Sequence, residues 1–156
     1  MASVPGHCLH RRELDTATLY ELLALRTQVF VVEQNCPYLE TDGQDLIGDT
    51  CHLLARDESG LMGYLRLLDP QHMEGEVVIG RVLTAERARG SGLGHRLMER
   101  ALVECGQRWP GAPVYLSAQA HLQGYYGRYG FVAVTEVYLE DDIPHIGMRR
   151  AATDLS

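Results

Sequence analysis

Residues 89–94 (RGSGLG) have the composition of a loop that binds an anion through its backbone. The glycines at positions 90, 92 and 94 let a ligand approach without Cβ clashes, so several N–H groups can point the same way. The β-branched run 77–84 before the loop predicts a buried strand. Apolar residues that recur every four positions from Leu93 to Cys105 predict an amphipathic helix after it. Because N–H groups at a helix N-terminus favour an anion, the segment predicts a pyrophosphate site.

Three known loop types could bind a pyrophosphate in this setting, and the neighbouring residues separate them. A Walker A loop ends in Gly-Lys-Ser/Thr, whereas Gly94 is followed by His95 and the chain contains no lysine. A dinucleotide-binding fingerprint needs a glycine where His95 stands. The remaining pattern, Arg/Gln-x-x-Gly-x-Gly/Ala, is matched by Arg89, Gly92 and Gly94. It resembles motif A of the GNAT family of N-acetyltransferases, whose loop holds the pyrophosphate of acetyl-coenzyme A.

The resemblance implies a set of residues that bind the co-substrate acetyl-CoA. In the family, backbone groups in the middle of the preceding strand bind the pantetheine arm and hold the oxyanion of the thioester. Carried over by position, the cofactor-binding residues are Val82, Leu83, Thr84, Arg89, Gly90, Ser91, Gly92, Leu93, Gly94 and Gln119.

Gln119 belongs to a second motif, which supports the same resemblance. Many GNAT members carry Asn-x-x-Ala-x-x-Phe-Tyr-x-x-x-Gly-Phe, and this chain carries Gln119, Leu122, Tyr125-Tyr126 and Gly130-Phe131 at the same spacing. The resemblance implies that Tyr126 is the general acid for the departing thiolate. The stretches FVVEQNCPY (30–38) and IPHIGM (143–148) resemble the bacterial ElaA-like branch in particular.

The order of predicted elements is β-α-β-β-β-α-β-α-β-β. A first strand is expected near 7–11, a helix from the cap Asp15 to about Glu33, a long loop to Asp49, and a hairpin across 57–60. After the motif helix we expect a strand at 114–118, a helix at 121–129, and an antiparallel pair at 131–137 and 145–149. This is the GNAT order. It implies a mixed, mostly antiparallel central sheet flanked by helices.

Size and composition fit a single domain over residues 1–156. Hydrophobic residues make up 46% of the chain and charged residues 22%, as in soluble globular proteins. The first residues have no apolar signal region and no run is long enough for a membrane span, so no membrane association is expected. The four cysteines show no C-x-x-C spacing, which favours reduced thiols and a cytoplasmic location.

The net charge of −7 argues against nucleic acid as a partner. Arginines surround the glycine loop at positions 87, 89, 96 and 100, where an anionic nucleotide would lie. Acidic residues collect in two other segments, Glu33, Glu40, Asp42, Asp45 and Asp49, and then Glu136, Glu140, Asp141 and Asp142. They are either solvated loop faces or groups that attract a cationic amine acceptor, and both interpretations stay open.

An amine acceptor must lose a proton before it attacks a thioester. For a lysine-like amine of pKa near 10.4, that costs roughly 4.6 kcal/mol at pH 7, so a base is expected near the opening of the sheet. Glu76 lies thirteen residues before Arg89, the offset at which relatives that acetylate protein lysines place a glutamate base. The rivals are Glu33, His52, His121 and His145.

Other residues raise the possibility of a metal site and of a substrate-binding arginine. Cys8, His10, Cys51 and His52 lack the spacing of paired metal ligands, so no metal is expected. Arg81, inside the predicted strand, either meets a substrate carboxylate or pairs with an acidic neighbour, and we expect the pairing.

The leading hypothesis is an acetyl-CoA-dependent N-acetyltransferase that transfers the acetyl group directly to a primary amine. The alternative is a GNAT-fold module that binds acyl-CoA and regulates a partner protein without turnover. A nucleotide-binding protein that uses the same loop is a further alternative. A homodimer is consistent with the resemblance, and the acceptor cannot be read from the sequence because GNAT acceptor sites are built from variable loops.

Overall fold

The computed structural model describes residues 6–152. Its strands are β1 Gly6–His10, β2 Cys51–Asp57, β3 Gly60–Leu68, β4 Val77–Thr84, β5 Val114–Gln119, β6 Val132–Ala133, β7 Tyr138–Glu140 and β8 Ile143–Arg150. Its α-helices are α1 Thr16–Arg26, α2 Leu93–Arg108 and α3 Gln123–Gly127. A π-helical segment, Thr27–Glu33, continues α1, and the 3-10 turns are Arg11–Glu13, Pro70–His72, Glu86–Ala88 and Ala120–Leu122.

All eight strands belong to one sheet, in the order β1-β2-β3-β4-β5-β8-β6, with β7 also paired to β8. The β4–β5 pair is parallel and the other pairs are antiparallel. The predicted mixed, mostly antiparallel sheet is therefore confirmed. The helices in residues 6–152 are all too short or too polar to cross a membrane.

Helices cover both faces of the sheet. Side chains alternate between faces along a strand, so Leu54 packs with Leu22 of α1, while its neighbour Leu53 packs with Leu97 of α2. Asp15 caps α1 by accepting the Thr18 N–H at 2.7 Å. Each face thus has its own apolar core.

Gly63 of β3 sets how closely α2 approaches the sheet. A Cβ at this position would lie 2.9 Å from a δ-carbon of Leu93 and of Leu97. The first turns of α2 therefore lie directly against the strand, which fixes the position of the glycine loop before them.

The C-terminal part of the sheet differs from the prediction. The strand expected at 131–137 is only Val132–Ala133, and β7 was not predicted. The Thr135 hydroxyl accepts the Gly147 N–H at 2.8 Å, so a side chain replaces the backbone carbonyl that would extend the ladder. The helix expected at 121–129 is a 3-10 turn followed by α3, and the helix expected to reach Glu33 changes to π-helix after Arg26.

Strand β4 bends away from β5. The two strands pair at Val77 with Val114 and at Val78 with Tyr115, and the described residues show no further pair between them. On its other edge β4 carries a bulge opposite Leu65, and Arg81 within the bulge has φ +53°. The bend separates the C-terminal halves of β4 and β5 and opens the sheet.

Candidate active site

A cavity of about 300 Å³ lies where β4 and β5 separate, and we call it the β4–β5 cavity. Its walls include residues 80–82 of β4, residues 116–119 of β5, Tyr126 of α3 and His145 of β8. Parts of the segment after α1, including Phe30 and Tyr38, also line it. Strand edges that face a gap keep N–H and C=O groups available, which suits an extended ligand arm.

The glycine loop, residues 89–94, joins β4 to α2 through the 3-10 turn Glu86–Ala88. Gly90 and Gly92 have φ of +83° and +82°, the left-handed region that favours glycine. Gly92 is the N-cap of α2 and provides no side-chain cap, so the N–H groups of the first turn remain suited to an external anion. A Cβ at either glycine would meet nothing within 4 Å, which means that backbone conformation alone requires them.

Arg89 links the glycine loop to the π-helical segment. Its Nη2 lies 2.7 Å from Oε1 of Glu33, and its Nε donates to the Thr84 carbonyl at 3.2 Å. Glu33, one of the rival bases, is therefore paired with a predicted cofactor residue.

Four of the other predicted cofactor residues fall into two groups. Val82 and Gln119 line the β4–β5 cavity. Leu83 and Leu93 are buried in the two cores, so they can offer a ligand only their backbone groups.

Tyr126 lies at the cavity wall and is 8% exposed. Its ring packs edge-on against Tyr125, with centroids 5.1 Å apart, and against Phe131 at 6.3 Å. Burial raises the pKa of Tyr126 to about 12. The phenol therefore stays protonated at neutral pH and can donate to an atom that becomes negative in the cavity.

Glu76 lies just before β4 and forms an ion pair with Arg149 of β8. It is not among the described residues that line the β4–β5 cavity. The structure therefore brings Tyr126, Val82 and Gln119 together around the β4–β5 cavity, and Glu76 is not part of its lining.

The rival histidines differ sharply in their surroundings. His52 is buried, with Nε2 at 2.9 Å from the Asp45 carbonyl, and burial lowers its pKa. His121 is exposed outside the cavity, whereas His145 lines it.

Two carboxylates of the first acidic segment are buried and paired with arginines, so these two do not belong to a solvated loop face. Glu40 and Asp45 are buried, and Arg26 bonds both carboxylates, at 2.7 and 2.6 Å. Arg81 pairs with Glu40 at 2.8 Å, as expected, and Arg66 pairs with Asp45 at 3.0 Å. Together with Asp42, these residues form an arginine–carboxylate cluster that holds the loop after α1 over the sheet.

The arginines of this cluster lower the pKa of Asp42. Burial raises the pKa of Asp42, but the hydrogen bond and charge of Arg66 outweigh burial and hold the pKa at about 2. Arg26 and Arg66 lie outside the motifs from which the site residues were predicted. Two features of the sequence could have indicated them: Arg26 interrupts an apolar helical stripe, and Arg66 interrupts an apolar strand.

Among residues 6–152, no group of three or more His, Cys, Asp or Glu side chains is arranged to hold a metal ion. The cavity instead contains a buried phenol, an imidazole and separated strand edges. This arrangement suits acyl transfer from an extended thioester.

A family model described as an acetyltransferase (GNAT) domain matches residues 27–152. The chain belongs to the GNAT family. It is 53% identical to Protein ElaA of Escherichia coli (strain K12) over 142 residues, which are 91% of this chain and 93% of ElaA. The crystal structure of that ElaA superposes with a TM-score of 0.88 at 52% identity, covering 93% of this chain and 98% of ElaA.

A second solved structure agrees with this assignment. An acyl-CoA N-acyltransferase from Pseudomonas aeruginosa superposes with a TM-score of 0.93 at 66% identity, covering 96% of this chain and 100% of that chain. The GNAT resemblance is thus confirmed, and this GNAT protein is an acyltransferase that uses coenzyme A as the acyl carrier.

Proposed function

We propose that this GNAT protein transfers an acetyl group from acetyl-CoA directly to a primary amine of a small molecule or a peptide. One observation carries the proposal: the β4–β5 cavity joins Tyr126 to residues 80–82 of β4, and β4 leads into an uncapped helix N-terminus at Gly92. A donor anchored at the glycine loop can extend along β4 and present its thioester beside Tyr126.

In this proposal the glycine loop holds the pyrophosphate through backbone N–H groups of residues 90–94. Backbone groups of Val82, Leu83 and Thr84 bind the pantetheine arm, and the Gln119 amide contacts it from β5. Gln119 and Val82 both line the β4–β5 cavity, which supports this path for the arm. Arg89 adds positive charge at the loop, partly offset by its ion pair with Glu33.

The chemistry then needs few protein groups. The neutral amine attacks the thioester carbon, and N–H groups of the bulged part of β4 stabilise the oxyanion. As the C–S bond breaks, the Tyr126 hydroxyl donates to the sulfur. A thiol pKa near 8.5 makes coenzyme A a fair leaving group, so this donation assists and is not indispensable. Glu76 stays a predicted base.

Release of free thiol from acetyl-CoA tests the proposal. Acceptors would include alkyl monoamines, diamines, aminoglycosides, amino acids and lysine peptides, each with and without protein. We expect thiol release that depends on at least one amine. Coenzyme A binding without amine-dependent thiol release would favour the alternative, a module that regulates a partner without turnover.

A thermal-shift measurement separates the nucleotide-binding alternative. Binding to the native state raises the melting temperature by mass action. We expect acetyl-CoA to raise it and ATP and NAD to leave it unchanged. A homodimer stays a prediction of the family resemblance, and a cytoplasmic location stays a prediction from the cysteine spacing.

A further inference from the structure

His145 lies where a proton acceptor for the incoming amine is needed. It is on β8, directly opposite Gln119 of β5, and lines the same cavity as Tyr126. The residue is only 9% exposed, so the protein fixes its surroundings. Its ring stacks on Tyr138, with centroids 6.3 Å apart and an interplanar angle of 28°.

The hydrogen bonds of His145 leave one ring nitrogen ready to accept a proton. Nδ1 lies 2.8 Å from the Ile143 carbonyl, and because a carbonyl only accepts, Nδ1 carries the hydrogen. In the neutral ring, Nε2 therefore has the lone pair. Nε2 lies 3.5 Å from Oε2 of Glu140, a distance that lets both atoms contact one ammonium group.

The charges around the cavity favour a cation at this point. Arg66 and Arg81 line the cavity, but carboxylates of the arginine–carboxylate cluster neutralise both. Glu140 and Asp141 also line it, and Oε2 of Glu140 lies near Nε2 of His145, which is uncharged in the form that accepts a proton. An ammonium group is therefore attracted to the side of the cavity where Nε2 lies.

The geometry points to His145 as the general base, and to a primary alkyl ammonium ion, held between Nε2 and Glu140, as the acceptor. This inference rests on the proposed acetyl transfer. An ammonium N–H bond breaks and its proton moves to Nε2, and the freed lone pair forms the C–N bond at the thioester carbon. The C–S bond then breaks with its electron pair on sulfur. The coenzyme A thiolate takes the second nitrogen proton through the Tyr126 hydroxyl, and Nε2 returns its proton to solvent.

Acceptors of different basicity provide the test, because an amine that is already neutral needs no base. At pH 8 about 0.4% of an alkyl amine of pKa 10.4 is neutral, against roughly half of an α-amine of pKa 7.7–8.0. The probes are 1-aminobutane and 1,5-diaminopentane in the first class and glycinamide in the second. For His145→Gln we expect kcat/KM to fall on the order of 10²- to 10⁴-fold with the alkyl amines and less than about tenfold with glycinamide.

Two further variants sharpen the comparison. Glu140→Gln is expected to raise KM for the alkyl amines several-fold while kcat changes little. His121→Gln alters an exposed histidine outside the cavity and should match the wild type. In His145→Gly, added imidazole should restore turnover, which a purely structural role of the ring would not allow. The melting temperature with coenzyme A shows whether each variant is folded.

Different outcomes would refute the role of His145 as the base and the proposed acetyl transfer itself. Equal losses for alkyl amines and glycinamide in folded His145→Gln would overturn the role of His145. If Glu76→Gln, and not His145→Gln, lost more kcat/KM with the alkyl amines than with glycinamide, Glu76 would be the base and the role of His145 would be overturned. Coenzyme A binding without turnover of any amine by the wild type would refute the proposed transfer, and the base assignment with it.

Discussion

Replacing Arg26 with methionine should destabilise the protein more than replacing any exposed arginine. The Arg26 side chain is 0% exposed, and its guanidinium donates to both carboxylates described above and to the Glu40 carbonyl at 3.1 Å. It also lies over the Tyr64 ring, 5.7 Å from the centroid. Methionine keeps much of the volume and removes the charge and every one of these donors.

The size of the loss follows from the remaining partners. Removing one partner of a buried ion pair costs about 3–5 kcal/mol. In Arg26→Met, Glu40 keeps Arg81 and Asp45 keeps Arg66, so the cost should lie near the lower end, about 3 kcal/mol. For a chain of 150–250 residues, 1 kcal/mol corresponds to roughly 2–4 °C, so the melting temperature should fall by about 6–12 °C.

Urea unfolding measures the free energy directly, and Arg87→Met is the matched control. Arg87 pairs with Asp57 at 2.8 Å, but the two side chains are 37% and 42% exposed. Such a surface pair contributes about 0–1 kcal/mol. A loss below about 1 kcal/mol for Arg26→Met, or equal losses for the two variants, would refute the reasoning that burial decides the energy of the cluster.

Three further results are expected. Tyr126→Phe should lower turnover about ten- to a thousand-fold with little change in acetyl-CoA affinity, and unchanged turnover would exclude the acid role. Gly92→Ala should cost about 1–2 kcal/mol and weaken acetyl-CoA binding measured by titration calorimetry, because its φ of +82° disfavours a side chain. The control Gly106→Ala, inside α2 with open space around it, should be stabilising by about 0.5–1 kcal/mol and bind normally. Asp42 has a pKa of about 2 in the folded protein, below its ordinary value of 3.8, so its contribution is present above about pH 4 and disappears as the pH falls through about 2. Because solvent reaches this carboxyl, the contribution should be about 1 kcal/mol, and urea unfolding of Asp42→Asn and wild type should show a clearly larger difference at pH 7 than at pH 2.

Elements with strong local signals were predictable. β4 has the predicted bounds because its β-branched run ends at Thr84, and the glycine loop that begins five residues later contains positions that need a left-handed backbone. The short length of β6 and the presence of β7 were not predictable, since the bond from the Gly147 N–H to the Thr135 hydroxyl joins residues twelve positions apart. Local propensity does not report such contacts.

Some residues of the candidate site could also be predicted from local sequence, whereas others could not. Tyr126 and Gln119 were found because the motif that contains them is contiguous, and both line the cavity. The Arg26–Glu40 and Arg66–Asp42 pairs join residues 14 and 24 positions apart across a loop, so composition could show only that acidic groups cluster. The sequence does not distinguish His145 from His52 and His121 as a candidate base, because only the pairing of β8 with β5 brings His145 to the cavity.

Acyl transfer from coenzyme A to an amine is the function proposed for the β4–β5 cavity. Its most direct test measures, in the same reaction, the free thiol released from acetyl-CoA and the N-acetylated amine identified by mass spectrometry. We expect equal amounts of the two products, formed at a rate that rises with amine concentration and is strongly reduced in Tyr126→Phe. Bound coenzyme A with no amine-dependent product, or thiol release without acetylated amine, would contradict it.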